Sequence, residues 1–294
     1  MIQVSDNDRV SKAIAWLMLG VLGGLMLDLF AKELLRTYSL QQFIFLRSLI
    51  AILLLLALAP KFGGLASLNT NRRAWHLFRT VLAIGAMFGF FYGLSKMPLV
   101  NAFTLGYTAP LMMTALSAIF LREPVGGRRW AAVMFGFIGV LVMLRPGSGE
   151  LSLAVFAVLL AAFCYACQAI TARKLSATES TLALSFYVVI GPMLVSLALL
   201  DGDSWLQPDF IGWALLIGAG ISSVLAWIGF VNGYRAASPA LLAPLEYTAL
   251  IGGAIAGFLF WDEVPDTWVA IGALIIVASG LFVVYRKQEV AGVG

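Results

Sequence analysis

Leu105-Gly106-Tyr107-Thr108-Ala109-Pro110 sits inside one apolar run, and Leu245-Glu246-Tyr247-Thr248-Ala249-Leu250 sits inside another, 140 residues further on. At the same offset Gly89-Phe90-x-x-Gly93 falls on Gly229-Phe230-x-x-Gly233, Phe120 on Phe260 and Glu123 on Glu263. Single identities are easy to find in apolar sequence. A triplet and a spaced motif in one gapless register indicate an internal repeat.

Working outward, apolar runs of similar length recur along the whole chain. A bilayer core of about 30 Å needs roughly 20 apolar residues per helix. Runs of that size cover 12–31, 40–59, 75–95, 99–120, 129–145, 151–172, 181–200, 210–232, 240–261 and 267–285. Pro60-Lys61, Lys96-Met97-Pro98, Glu123-Pro124 and Arg145-Pro146-Gly147 separate them with helix-ending chemistry. The chain is 61% hydrophobic and only 12% charged, whereas soluble domains carry about 25% charged residues. The reading is an all-α integral membrane protein of ten transmembrane helices.

The offset lays spans 1–5 on spans 6–10. Five is odd, so the second set must enter the membrane from the opposite side. The expected architecture is two inverted five-helix repeats (5+5), residues 1–146 and 147–294, around a central cavity. Inverted repeats are associated with alternating-access carriers, whose substrate site lies near the bilayer midplane. Tyr107 and Tyr247 lie seven to eight residues into spans 4 and 9. At 1.5 Å per residue that is about 10–12 Å deep.

Loop charge sets the orientation. Thirteen lysines and arginines fall on the side of the N-terminus, against Lys32, Arg36, Lys96 and Arg145 on the other; Arg47 and Arg79, inside spans, complete the 19. By the positive-inside rule both termini face the cytoplasm. The expected location is a bacterial-type cytoplasmic (inner) membrane, multi-pass. No cleavable signal peptide is evident.

Several function classes are disfavoured. The net charge of +4 comes from short loops, so nucleic acid is not an expected partner. Cys164 and Cys167 spell C-x-x-C inside an apolar run, and His76 is the single histidine; they read as packing residues, and no metal or other cofactor is called for. No P-loop is present. Scattered acids and one histidine do not assemble a catalytic set, so an intramembrane enzyme is not expected. A passive facilitator remains open.

The chain resembles the EamA-type branch of the drug/metabolite transporter superfamily. The resemblance rests on Asn101-Ala102-Phe103 through Pro110, then Glu123, Gly136-Phe137-x-Gly139 and Arg145-Pro146-Gly147, repeated from Ser238-Pro239-Ala240 to Glu263 and Gly280. Within that branch it looks most like exporters of aromatic and other amino acids. The resemblance implies a cavity lined by spans 3, 4, 8 and 9. It also implies a small-molecule substrate, an amino acid or related metabolite, moved outward by a secondary transporter; a monomer is one option, and the sequence leaves the oligomeric state open. Pro110 faces Leu250 in the repeat and Pro244 faces Thr104, so the two halves depart from one another here.

Polar groups inside spans are costly and face a cavity or a partner. Glu246 is either a substrate-amine or proton site, or a carboxylate bonded to a neighbouring helix or snorkelling to the cytoplasmic interface. Asp28 and Arg47 are at similar depth and suggest a structural ion pair, with Lys32 as the alternative partner of Asp28. Asn101, Thr104 and Thr108 share one face of span 4, and Cys164, Gln168 and Thr171 share one of span 6. Either face lines the cavity or binds another helix. Tyr92, Tyr107, Trp227 and Tyr247 are candidate wall aromatics, against ordinary packing. Pro110, Pro192 and Pro244 are candidate hinges, or fixed kinks. Trp75, Trp130, Trp205 and Trp268 suit the interfacial belt, and Glu123 and Glu263 read as charges favouring the start of the helix that follows each.

Overall fold

The computed structural model describes residues 6–121, 126–145, 152–237 and 242–291. Glu123, Pro146, Gly147 and the Ser238-Pro239-Ala240 segment lie outside the described residues. All the regular structure described is helical. In chain order the helices are α1 (Asp6–Leu34), α2 (Leu40–Leu58), α3 (Arg73–Lys96), α4 (Leu99–Gly106), α5 (Ala109–Phe120) and α6 (Gly127–Leu144). Then come α7 (Leu153–Leu175), α8 (Thr181–Ala198), α9 (Phe210–Ala236), α10 (Thr248–Trp261) and α11 (Thr267–Ala291). Among the described residues, seven segments are long and apolar enough to cross a membrane, α4 and α5 together counting as one. Three shorter apolar helices, Trp130–Leu144, Leu245–Trp261 and Thr267–Phe282, fall on the other three expected spans.

The helix boundaries follow from local chemistry. Ser39, Ser180 and Asp209 cap α2, α8 and α9 by accepting the amides of Gln42, Ala183 and Gly212. Span 4 is two helices: the chain breaks at Tyr107-Thr108, and Pro110 stands in the first turn of α5, where its missing N–H costs nothing. The corresponding stretch of the second half is instead a 3-10 turn, Ala243–Tyr247, with Pro244 at its start, leading into α10. Pro192 does not interrupt its helix. It lies within a continuous α8, which loses only the ladder bond that proline cannot donate.

Packing shows why the spaced glycine motif occurs twice. The most extensive pairing is α1 on α9, followed by α6 on α11 and α3 on α7. Gly89 and Gly93 of α3 press on the α7 backbone: a Cβ on Gly89 would lie 2.5 Å from the Ala157 carbonyl oxygen. Gly229 and Gly233 of α9 press on α1: a Cβ on Gly229 would lie 2.3 Å from the Gly20 amide nitrogen. Each motif therefore seats the third helix of one half on the first helix of the other. The principal pairings are conserved under exchange of halves: α1–α9 maps to α7–α3, α2–α9 to α8–α3, while α2–α8 and α6–α11 map to themselves. Small residues let backbones approach where lipid offers no hydrophobic drive to associate.

Polar ties close the end where α1 finishes. Lys32 Nζ pairs with Glu263 Oε1 at 3.0 Å and donates to the Met97 carbonyl at 2.9 Å. Glu263 Oε2 accepts the amide of Leu99 at 2.6 Å. Glu263 thus caps the start of α4 from across the bundle. Its local partner is not the helix that follows it, because the chain turns at Asp262, φ 53°, and swings the carboxylate toward α1 and α4.

Candidate transport cavity

A cavity of ≈ 200 Å³ lies among α1, α2, α3, α4, α7, α9 and the Ala243–Tyr247 turn. Its wall is mostly apolar and rich in aromatic rings: Phe90, Phe91, Phe103, Tyr107, Tyr165, Trp227 and Phe230 line it. Phe103 meets Tyr107 edge-on at 5.9 Å between ring centres, and Tyr165 meets Phe230 in the same way at 5.9 Å. Four polar side chains, Asp28, Arg47, Gln168 and Glu246, break this apolar surface.

Glu246 is 5% exposed. It is placed by the 3-10 turn, which projects its carboxylate between α7 and α9. Tyr234 donates its hydroxyl to Glu246 Oε1, and Tyr165 donates to the same oxygen at 3.4 Å. Both readings offered for Glu246 therefore meet in one place: it faces the cavity and is bonded to neighbouring helices.

Arg47 is fully buried. Nη1 donates to Ser223 Oγ at 2.5 Å, Nη2 to Ser48 Oγ at 3.2 Å and to Met87 Sδ at 2.9 Å. Its guanidinium stands 5.5 Å from the Phe91 ring centre and 5.9 Å from that of Phe43. The expected Asp28–Arg47 pair is not in direct contact. Among the described residues no N···O distance of 4.0 Å or less joins them, because the donors of Arg47 turn to α9 and α3. Lys32, the alternative partner, is taken by Glu263. Asp28 and Arg47 nonetheless face the same cavity, with opposite charge and aromatic surface around them.

Of the other expected residues, Tyr107, Gln168 and Trp227 line the cavity, and neither amide atom of Gln168 has a bonded partner among the described residues. Tyr92, Asn101, Thr108 and Tyr247 do not line it. Thr104 and Thr108 bond the carbonyls of Val100 and Leu105, and Thr171 those of Cys167 and Gln168, all within their own helices. Tyr247 remains 5.9 Å from Tyr107 between ring centres, but its ring turns to α11 and packs on Gly280, where a Cβ would lie 2.0 Å from it. The tyrosine pair is symmetric in sequence and asymmetric in space. Cys164 and Cys167 are free thiols, and Cys164 packs against Gly85.

Tyr165, which lines the cavity, and Tyr234, which holds the cavity's Glu246, were missed by the sequence reading. A signal was present: Tyr165 lies three residues before Gln168, and Tyr234 four after Phe230, each on the same helix face as a residue already singled out.

Residues 11–145 and 152–285 each match the EamA-like transporter family. The chain belongs to that family. It is 34% identical over 238 residues to a riboflavin transporter of Vibrio cholerae, covering 80% of this chain and 79% of the relative. It is 28% identical over 279 residues to an S-adenosylmethionine uptake transporter of Rickettsia bellii, covering 95% of each. It is 28% identical over 256 residues to the pseudopaline exporter of Pseudomonas aeruginosa, covering 86% of this chain and 89% of the relative. These relatives are transporters of small metabolites, and none of the three is named for aromatic amino acids. The EamA-like chain is thus a multi-pass membrane protein of a metabolite-transporter family, built from two family repeats.

Proposed function

We propose that this EamA-like chain is a secondary transporter that moves amino acids, aromatic ones among them, or related zwitterionic metabolites across the cytoplasmic membrane by alternating access. The observation that carries it is the cavity itself. It offers a guanidinium, Arg47, for a carboxylate, and Asp28 and Glu246 for an amine, across a wall of seven aromatic rings. A planar or apolar side chain fills such a wall, and a cationic amine is attracted to it. S-adenosylmethionine, the cargo named for one relative, combines an amino-acid head with a flat base and has the same chemical outline.

All ten apolar segments cross the membrane in this reading, with both termini cytoplasmic and the halves dividing at 146/147. The exchange symmetry of the helix pairings supports that inverted plan. The break at Tyr107-Thr108 and the 3-10 turn at Pro244 face one another at the seam, and together with Pro192 they serve as hinges. The protein acts as a carrier, without catalysis and without a cofactor. Outward movement rests on the pseudopaline relative. The S-adenosylmethionine relative is named for uptake on the same scaffold, so sidedness belongs in the test.

Proteoliposomes loaded with labelled L-phenylalanine, L-leucine or S-adenosylmethionine decide the matter. Saturable flux of either amino acid is expected, in right-side-out and inside-out vesicles compared separately. Absence of flux for both amino acids sinks the amino-acid assignment, and S-adenosylmethionine flux alone transfers it to that class. An imposed pH gradient reads proton coupling.

A further inference from the structure

Arg79 is a buried charge that the 200 Å³ cavity does not reach. It lies on α3, 1% exposed, and its Nε and Nη1 have no hydrogen-bond partner among the described residues. A guanidinium carries five donors in a fixed fork, so two idle nitrogens inside a helical bundle call for an acceptor. Glu179, the acid whose charge acts on Arg79, is bonded through Oε2 to His76 Nε2 at 3.0 Å. Facing Arg79 is Gln168 of α7, 2% exposed, with both amide atoms unbonded.

Arg79 and Gln168 line a small void of ≈ 10 Å³ with Tyr165, Trp227, Phe230 and Tyr234. Tyr165, Gln168, Trp227 and Phe230 line the main cavity as well. The void therefore adjoins that cavity across a shared wall, at the end where Tyr234 holds Glu246. Its volume is about that of one water. One water cannot answer two guanidinium nitrogens and a whole amide, whereas a carboxylate offers two oxygens to share between the guanidinium and the amide N–H.

We propose that Arg79 and Gln168 form a second anion station of the transport path, which takes the carboxylate of a zwitterionic substrate at the end of the cavity beside Tyr234 and Glu246. The proposal rests on the reading of the chain as a carrier of zwitterions. It gives each end of the aromatic cavity one guanidinium and one carboxylate, Arg47 with Asp28 and Arg79 with Glu246. A substrate's amino-acid head then has a matching site at both ends of its path. In the present conformation the Arg79 station is contracted to a void, and opening of the α3–α7–α9 end widens it. A neutral amide answers the guanidinium with one carbonyl oxygen only and turns a donor NH2 toward the rest of the site, so it should be held far less well than the charged carboxylate.

Phenylglyoxal, an arginine-specific dicarbonyl, reads the site directly when peptide mass spectrometry follows modification of Arg79 in the reconstituted full chain. The probes are 3-phenylpropionate, which has the carboxylate and no amine, and its neutral amide. The carboxylate should slow labelling of Arg79 by about tenfold relative to the amide. In Gln168→Leu the concentration needed for that protection should rise about tenfold, or about 1.4 kcal/mol. Equal labelling with and without the carboxylate overturns the station, as does an Arg79 that stays unlabelled throughout. L-Phenylalanine flux measured in the same vesicles separates the two readings. Flux without protection overturns the station and leaves the carrier; protection without flux of any amino acid does the reverse.

Discussion

Replacing Gly229 by alanine tests whether the repeated glycine motif exists to let two helices touch. A Cβ at this position would lie 2.3 Å from the Gly20 nitrogen, 2.5 Å from the Gly20 Cα and 2.7 Å from the Trp16 carbonyl oxygen. All three are backbone atoms, so no rotamer change relieves the contact. Ordinary carbon contacts lie at about 3.5–4.0 Å, and α1 and α9 must therefore part by about 1 Å. Overpacking of this kind costs about 1–3 kcal/mol, and the rigid partner puts it at the upper end. Alanine returns about 0.8–1.0 kcal/mol as the better helix former, leaving a net loss of about 2 kcal/mol. Gly24→Ala is the control on the same interface, since its Cβ would meet only the Phe230 ring at 3.8 Å; it should be neutral or mildly stabilising. Unfolding of the detergent-solubilised chain by sodium dodecyl sulfate titration measures both. Because Trp227 and Phe230 flank Gly229 on α9, amino-acid flux should fall along with stability. A Gly229→Ala chain as stable as Gly24→Ala refutes the claim that close backbone contact sets this interface.

Glu246→Gln should abolish the response of flux to a pH gradient while keeping the fold, and Tyr234→Phe should reproduce part of that loss by freeing the carboxylate; intact flux and pH response in Glu246→Gln remove this residue from the mechanism. Glu263→Gln deletes the Lys32 pair and weakens the cap on α4, so it should cost about 1–3 kcal/mol in the same titration, whereas Glu33→Gln, which loses the exposed Arg36 pair and keeps an amide oxygen to accept from Trp261 Nε1, should cost at most about 1 kcal/mol; equal losses contradict the assigned ties. Pro192→Ala restores a ladder bond in α8 and, if the helix bends during transport, should lower turnover with unchanged half-saturation; unaltered turnover makes the proline a fixed packing feature.

The helices were legible because their signal is local. Apolar length reports a span whatever surrounds it, and the serine and aspartate caps of α2, α8 and α9 act within three residues. The site was legible only in part. Glu246, Trp227, Tyr107 and Gln168 stood out as polar or amphipathic groups in apolar helices, and all four line the cavity. Tyr165 and Tyr234 were not singled out, because on a lipid-embedded helix an inward tyrosine differs from an outward one only through its neighbours on the helix face; Arg79 was visible as a charge inside a span, but its surroundings were not. Tyr247 shows the converse: a perfect repeat match whose ring packs on Gly280, where α11 has no side chain in its way.

The 140-residue offset, the ten apolar segments and the bias of loop charge belong to the linear sequence, since each depends on composition counted along the chain. The partner of every buried charge belongs to the fold. Arg47 lies at the depth of Asp28, yet Ser223 and Met87 take its donors. Glu263 stands before its own helix, yet it caps α4 and holds Lys32. Sequence spacing sets the depth of a group in its helix; only the packing of helix against helix sets which neighbour lies within the roughly 3 Å that a hydrogen bond allows.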